Sequence, residues 1–340
     1  MGSGPGCERR RREPSIGRRG ALLAFAACVA VATAVAQAPV HLYRVGYFAN
    51  GYAPADGAPP AAFRQAMREL GYVEGRNVVY IGRWAELRTD RLAQIAREFV
   101  EINPEVIVAF GYPAADAARQ VSSTIPIVVA AAGDPAATGL VASLARPGGN
   151  VTGISDDSAV LSAKRLELLK EVRPNAGRIA VLWNARNEAM TQRYREIEKA
   201  AGTLHINVQA LAVRDPADFD DAFAAMSRER PDALLVVTDA LTRTNQRRVL
   251  EYAAKSDVPA MYEFSDFVRD GGLISYGPRS DDAFRRLAVF VDRILRGARP
   301  ADLPVEQPTE FELVINMKTA NSLGVTIPPS VYLRASEVVR

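Results

Sequence analysis

The sequence predicts an α/β fold in which a doubly wound parallel sheet occurs twice. Short, nearly continuous apolar segments alternate with helix-like segments from Arg44 onward, as expected for parallel strands that are buried on both faces. The predicted strands start near residues 44, 77, 106 and 125, and then near residues 178, 207, 232 and 258. Because the two series have similar spacing, we expect two α/β lobes of the same architecture.

The individual elements follow in chain order. The first series predicts strands over 44–48, 77–84, 106–111 and 125–131, with helices over 61–70 and 90–102 and a third helix after Pro113. The second series predicts strands over 178–183, 207–213, 232–239 and 258–264, with helices over 190–201, 216–228 and 243–255. A strand over 272–277 and a helix over 281–297 then precede a strand and helix within 311–325.

The remaining segment after residue 271 is too small for a third domain, so we expect it to return to both lobes. The predicted N-terminal lobe comprises residues 41–152 plus 272–300, and the C-terminal lobe comprises residues 153–271 plus 301–340. Crossovers near 151–155, 271–274 and 300–305 would form a multi-strand hinge between two Rossmann-like lobes.

The first 36 residues differ in kind from the rest and predict a cleaved signal peptide. A basic start with six arginines precedes the small-apolar run Ala21–Ala36, which ends in an A-x-A site before Gln37. The run is shorter than the roughly 20 residues that a membrane span needs. This pattern predicts export to the periplasm. Two variants remain open: a twin-arginine signal at Arg18-Arg19, and lipid anchoring at Cys28 within a loose lipobox, which we consider less favoured than cleavage.

Removing this segment changes the charge and cysteine arguments. It carries six Arg and two Glu, and since the 340-residue chain has a net charge of +3, the remainder carries −1. The basic pI therefore indicates no nucleic-acid partner. Both cysteines, Cys7 and Cys28, lie in the same segment, which excludes a disulfide or a cysteine-ligated metal from the mature chain.

Familiar catalytic constellations are missing from the sequence. The only histidines are His41 and His205, and no nucleophile elbow, phosphate-binding loop or zinc motif occurs. The pair Asp156-Asp157 is more typical of a solvated turn or helix cap than of acid–base chemistry. We therefore expect no enzyme activity, no cofactor and no metal.

Ligands of open α/β sheets bind at the carboxyl ends of the strands, which predicts a binding cleft between the lobes. The segment Gly111-Tyr112-Pro113 begins a helix whose backbone donors suit a carboxylate, with Gly111, Tyr112, Ala114 and Ala115 as the donors. Thr238-Asp239 offers an acceptor for an ammonium or hydroxyl group, or else a helix N-cap. The full set of candidate ligand-binding residues is Phe48, Asn50, Gly111, Tyr112, Ala114, Ala131, Asp134, Asn184, Asn187, Thr238, Asp239, Phe264 and Tyr276.

Several long motifs carry a family resemblance. They are GDPAATGLV (133–141), SLARPGGNVTGIS (143–155), LELLKEVRPNAGRIAVLWN (166–184), GGLISYG (271–277) and INMKTANSLGVTIPPS (315–330). With them the chain resembles the substrate-binding proteins of bacterial ABC transporters in the tryptophan/tyrosine-binding (TrpX-like) family, over about residues 42 to 334. The resemblance implies a type I periplasmic-binding-protein fold with three crossovers and the ligand in the interlobe cleft.

The resemblance also implies residue roles. The turn at Gly111 would hold the ligand's carboxylate, although Tyr112 stands where a small hydroxyl residue is usual. Asp239 would take the ligand's amino group, and Asp134 would shape its loop. We expect a monomer that captures a small polar ligand, with an amino acid or related carboxylate among the candidates, and delivers it to a membrane permease. A ligand-sensing subunit that presents its cargo to a membrane sensor remains the alternative.

Overall fold

Five parallel strands form the first sheet of the protein. The computed structural model describes residues 41–156 and 158–340, together with residues 1, 2, 4 and 6. Apart from those four residues, the predicted signal peptide lies outside the described residues, as do Gln37 and Asp157. The first sheet has the strand order β2–β1–β3–β4–β5, with β1 at Tyr43–Ala49, β2 at Val78–Trp84, β3 at Val106–Phe110, β4 at Ile127–Ala130 and β5 at Val151–Gly153.

Helices cover both faces of this sheet. On one face lie α2 (Thr89–Ile102) and α3 (Tyr112–Val121), which pack with side chains such as Phe48 and Phe99. On the other face lie α1 (Ala61–Glu69) and the later helix Ser280–Leu295, which pack with side chains such as Val45 and Tyr47. The first sheet is therefore buried on both sides, as its apolar strands predict.

The second sheet contains seven strands in the order β12–β11–β10–β9–β8–β6–β7. Its strands are β6 (Arg178–Asn184), β7 (Asn207–Val213), β8 (Ala233–Val236), β9 (Ala260–Tyr262), β10 (Ile274–Pro278), β11 (Phe311–Asn316) and β12 (Glu337–Val339). The helices of this lobe are α4 (Ser158–Val172), α5 (Glu188–Thr203), α6 (Asp218–Arg228), α7 (Ala240–Thr244), α8 (Gln246–Lys255), α9 (Ser265–Arg269), α11 (Met317–Ser322) and α12 (Pro329–Tyr332). The helix α10, at Ser280–Leu295, belongs to the first lobe. All pairings in this sheet are parallel except β10 with β11.

The structure corrects the predicted placement of the strand at 272–277. This segment was expected in the N-terminal lobe, but β10 pairs with β9 and β11 in the second sheet. Only the helix that follows it, α10, packs on the first lobe. The prediction was wrong because an apolar strand has the same pattern in either sheet, so the pattern does not indicate its partner.

The chain consequently crosses between the sheets at three places. The first crossing follows Gly153, the second follows Pro278 rather than residues 271–274, and the third lies between Asp302 and Phe311. The first and third crossings run side by side, because Ile154 bridges to Glu306 and Glu306 donates its N–H to the Gly153 carbonyl at 2.9 Å. Residues His41–Arg340, with both sheets, form one compact unit, in which no described helix is long and apolar enough to cross a bilayer.

Candidate functional site

A cavity of about 810 Å³ lies where the strand ends of both sheets meet the three crossings. The first sheet contributes the residues that end β1, β3 and β4, which are Ala49, Phe110 and Ala130. The second sheet contributes the residues that follow β8, which are Thr238 and Asp239. This is the position predicted for a ligand in open parallel sheets, and the volume lies in the usual range for small-molecule sites.

The side of the cavity formed by the first lobe is aromatic. We call Tyr47, Tyr52, Trp84, Phe110 and Phe284 the aromatic wall, since all five line the cavity. Phe110 stacks on Phe284 with ring centroids 5.6 Å apart, and the ring centroids of Tyr47 and Trp84 lie 6.1 Å apart. Tyr52 is 56% exposed. Such a surface suits a flat apolar ligand group, because aromatic rings gain from offset and edge-on contacts as well as from burial.

The side formed by the second lobe centres on Asp239. Its Oδ1 accepts hydrogen bonds from the backbone N–H groups of Leu241 and Thr242 at 2.9 and 3.2 Å, so Asp239 caps α7 in a capping box. Its Oδ2 accepts from the side-chain amides of Asn184 and Asn187 at 2.6 and 3.1 Å. Burial raises the pKa of Asp239 above the ordinary aspartate value, although these amide and backbone hydrogen bonds act in the opposite direction.

Behind this side lies a buried ion-pair network that the sequence analysis missed. The Glu263 carboxylate, 1% exposed, accepts from the Arg165 guanidinium at 2.8 Å and from the Arg193 guanidinium at 2.8 and 2.9 Å. Arg193 also donates to Asp156 at 2.5 Å. Burial alone would lower the pKa of Arg193, but the carboxylates of Asp156 and Glu263 raise it above its ordinary value. The network ties the first crossing to the second lobe.

The turn at the start of α3 offers fewer ligand donors than predicted. Gly111 adopts φ 89°, a conformation that favours glycine, and its N–H donates to the Ala130 carbonyl at 2.8 Å. Ala115 donates to the Gly111 carbonyl at 3.2 Å. These two donors are therefore engaged within the fold, and the other two predicted donors, Tyr112 and Ala114, do not line the cavity.

The structure brings seven of the thirteen predicted residues to the cavity. They are Asn50, Gly111, Ala131, Asn187, Thr238, Asp239 and Phe264. The other six do not line it, and each has a physical reason. Side chains alternate along a strand, so Phe48 lies in the core on the opposite face from Tyr47. Ala114 lies on the buried face of α3.

The remaining four predicted residues that do not line the cavity make other contacts. Tyr112 packs against the apolar cores of both lobes, so its ring forms an interlobe contact. Asp134 accepts from the backbone N–H groups of Ala136 and Ala137 and shapes its turn. Asn184 lies behind Asp239 as its donor, and Tyr276 packs on the second-lobe core while its carbonyl accepts from Arg165.

Four arginines line the cavity without having been predicted. Arg243, Arg279, Arg285 and Arg286 have half-exposed side chains. Arg243 pairs with Asp266, and Arg286 pairs with Glu306. These arginines lie on α7, directly after β10 and on α10. The sequence alone does not place them at the cavity, because their positions depend on where the chain crosses between the lobes.

Comparisons with known proteins agree with this architecture. A family model described as ABC transporter substrate binding protein matches residues 55–339. The tyrosine-binding protein of Clostridioides difficile strain R20291 is 28% identical over 263 residues, which cover 77% of this chain and 75% of the relative. A conserved domain protein from Vibrio cholerae is 30% identical with a TM-score of 0.82, over 87% of this chain and 99% of that one.

Two further solved structures differ in their state. An ABC domain from Streptococcus pneumonia in complex with L-Trp has a TM-score of 0.81, and a ligand-free, open substrate-binding protein from Clostridium difficile has 0.63. Both are 26% identical to this chain and cover 87% of it and 99% of their own length. With the fold, the interlobe cavity and the family match over residues 55–339, the chain belongs to the ABC-transporter substrate-binding protein family.

Proposed function

We propose that the protein captures an aromatic amino acid, or a related carboxylate, in the interlobe cavity and delivers it to the membrane permease of an ABC importer. The observation that carries the proposal is that the aromatic wall of the first lobe and Asp239 of the second lobe line one cavity. A ligand that combines a flat apolar group with a charged backbone-like end matches both surfaces. The relatives that bind tyrosine and L-Trp support this ligand class.

Electrostatics favour a cationic group near Asp239. None of its hydrogen bonds comes from a lysine or arginine of the described chain, since the partners are two amides and two backbone N–H groups. A carboxylate that is desolvated without a counter-ion favours binding of an ammonium group, whose charge compensates it. The N-terminal end of α3 meets the cavity at Gly111 and Pro113, and the positive end of the helix dipole there suits the ligand's carboxylate.

Capture by closure of the two lobes completes the proposal. The hinge would lie at the three crossings, after Gly153, after Pro278 and between Asp302 and Phe311. Tyr112 supports this idea because its ring packs on both lobes at once. The TM-score with the L-Trp complex is higher than that with the ligand-free, open structure. This difference favours a lobe arrangement close to that of a ligand-bound protein. Binding without chemical turnover is proposed, as befits the family.

Export to the periplasm is part of the same proposal. N-terminal sequencing of the exported protein should begin at Gln37, whereas a lipidated Cys28 at the first position would contradict cleavage there. A ligand-sensing subunit uses the same cavity, but no contact in the structure favours sensing over transport.

Mass spectrometry of small molecules released from the purified protein by mild denaturation tests the ligand class. We expect an aromatic amino acid or a related carboxylate in stoichiometric amount, because closed cavities retain tight ligands. A sugar, polyol or metal complex in that amount would contradict the proposal. A Trp84→Ala variant, which removes a ring of the aromatic wall, should retain less of the ligand. Trp183→Phe alters a tryptophan that stacks on Tyr194 and does not line the cavity, and it should retain the ligand fully.

A further inference from the structure

Asp156 occupies the junction of the two lobes. It lies in the first crossing, between β5 and α4, and lines the cavity. Its backbone N–H donates to the Gly133 carbonyl of the first lobe at 3.3 Å, while its Oδ2 accepts from Arg193 of the second lobe at 2.5 Å. The side chain is 14% exposed. The carboxylate is therefore fixed in place from both sides.

The other oxygen of this carboxylate has no donor. Asp156 Oδ1 is buried and has no hydrogen-bond partner among the described residues. A buried acceptor without a partner costs about 1–3 kcal/mol, and more when it is charged. Native proteins rarely leave such an atom unpaired unless it serves a ligand, an ion or a functional step.

Asp239, the acidic residue that the sequence analysis singled out, is occupied by comparison. An ionised carboxylate has about four lone-pair sites, and four donors already approach the two oxygens of Asp239. Asp239 therefore contributes negative charge to the cavity but has little remaining capacity to accept hydrogen bonds. Asp156 has the opposite character, because Arg193 compensates its charge while one oxygen stays open.

Thr238 lies in the same network as Asp156 and lines the same cavity. Its N–H donates to Glu263 Oε2 at 2.8 Å, and Arg193 donates to that same oxygen and to Asp156. Like Asp156 Oδ1, the Thr238 hydroxyl oxygen is buried and has no partner in the described part of the chain. Two unpaired acceptors thus belong to residues that line the cavity and share one hydrogen-bond network with Arg193.

We propose that Asp156 Oδ1 and the Thr238 hydroxyl accept hydrogen bonds from the ligand's primary ammonium group, with Asp239 supplying only long-range charge. The inference rests on the proposed function and narrows it to ligands with a free amino group. Asp156 belongs to the first crossing and Thr238 to the second lobe. The ligand's amino group would therefore join the first crossing to the second lobe. Ligands without an amino group leave both acceptors unpaired and are rejected.

Calorimetric titration with L-tryptophan and with 3-(indol-3-yl)propionate, its analogue without the amino group, tests the proposal. The parent should prefer L-tryptophan by about ten- to a hundredfold, the worth of a charge-assisted hydrogen bond. In Asp156→Asn this preference should shrink at least tenfold, since an amide N–H replaces the acceptor. Asp220→Asn, which alters an aspartate of α6 that is 79% exposed and outside the cavity, is the control and should leave the preference unchanged.

Thr238→Val keeps the inference testable if Asp156→Asn unfolds the protein through loss of the Arg193 contact. The valine preserves the side-chain shape and the backbone N–H bond to Glu263. It should narrow the preference for L-tryptophan about tenfold, the worth of one hydrogen bond from a charged donor. The inference is overturned if both variants keep the parent's preference, or if only Asp239→Asn removes it. A parent that binds the propionate as tightly as L-tryptophan overturns it as well.

The two proposals fail in different ways. If neither probe binds, the remaining amino acids and their analogues without the amino group are screened by thermal shift. Stabilisation only by ligands that lack an amino group overturns the ammonium contact but leaves solute capture intact. No stabilisation by any of these compounds overturns both proposals.

Discussion

Replacing Glu263 by glutamine tests whether the buried ion pairs hold the second-lobe side of the cavity in place. Glu263 is 1% exposed and accepts four hydrogen bonds of 2.8–2.9 Å, from Arg165, Arg193 and the Thr238 N–H. The variant removes the charge between two buried guanidinium groups and retains only one acceptor oxygen. Removal of one partner of a buried ion pair typically costs about 3–5 kcal/mol, because the other charge stays buried.

Urea denaturation followed by circular dichroism measures this cost as a loss in the free energy of unfolding. The matched control is Glu98→Gln, which breaks the surface pair between Arg83 and Glu98, whose side chains are 41% and 35% exposed. Exposed pairs contribute about 0–1 kcal/mol, so the control should change stability by less than that. If Glu263→Gln loses no more stability than the control, the network is solvated and does not position Asp156 or Thr238.

Three further predictions concern closure, the first crossing and pH. Tyr112→Thr should weaken ligand binding about tenfold in calorimetry, because the apolar ring area that joins the lobes is worth roughly 1–2 kcal/mol, whereas Tyr112→Phe should bind as the parent does. Gly153→Ala should destabilise the fold strongly in thermal unfolding, because at φ 139° the new Cβ would lie 2.2 Å from the Val129 carbonyl oxygen, while Gly149→Ala meets open space and should be neutral. Burial raises the pKa of Asp239 in the folded protein. The contribution of this side chain to the free energy of unfolding is therefore greatest below the ordinary aspartate pKa of about 4 and is lost as pH rises through the raised pKa. The stability of the parent relative to Asp239→Asn should therefore fall as pH rises above about 4 in urea titrations; a pH-independent difference would show that the folded and unfolded pKa values are equal.

Periodicity predicted the fold well because both sheets bury their strands on two faces. Runs such as VIVAF at Val106–Phe110 are apolar at every position, and the structure confirms them as central parallel strands. The same property made the strand at Ile274–Pro278 ambiguous, since such a run fits any buried sheet. Its actual neighbours are set by long-range pairing with β9 and β11, which a local pattern does not contain.

The cavity was located from the sequence more reliably than its individual contacts. Thr238 and Asp239 were identified because they follow a buried strand, and both line the cavity. The two possible roles of Asp239, acceptor and helix cap, were both stated, and the structure shows the cap. Phe48 was misplaced by one step of the strand alternation. Asp156 was read as a solvated turn, since its partner Arg193 is 37 residues away on another element.

A crystal structure of the protein with its co-purified ligand tests the central claim most directly. The account predicts electron density in the interlobe cavity, with an aromatic group against Trp84 and an ammonium nitrogen within hydrogen-bond distance of Asp156 Oδ1. Ligand density outside the cavity, or an ammonium group directed toward Arg243 and away from both Asp156 and Asp239, would contradict it.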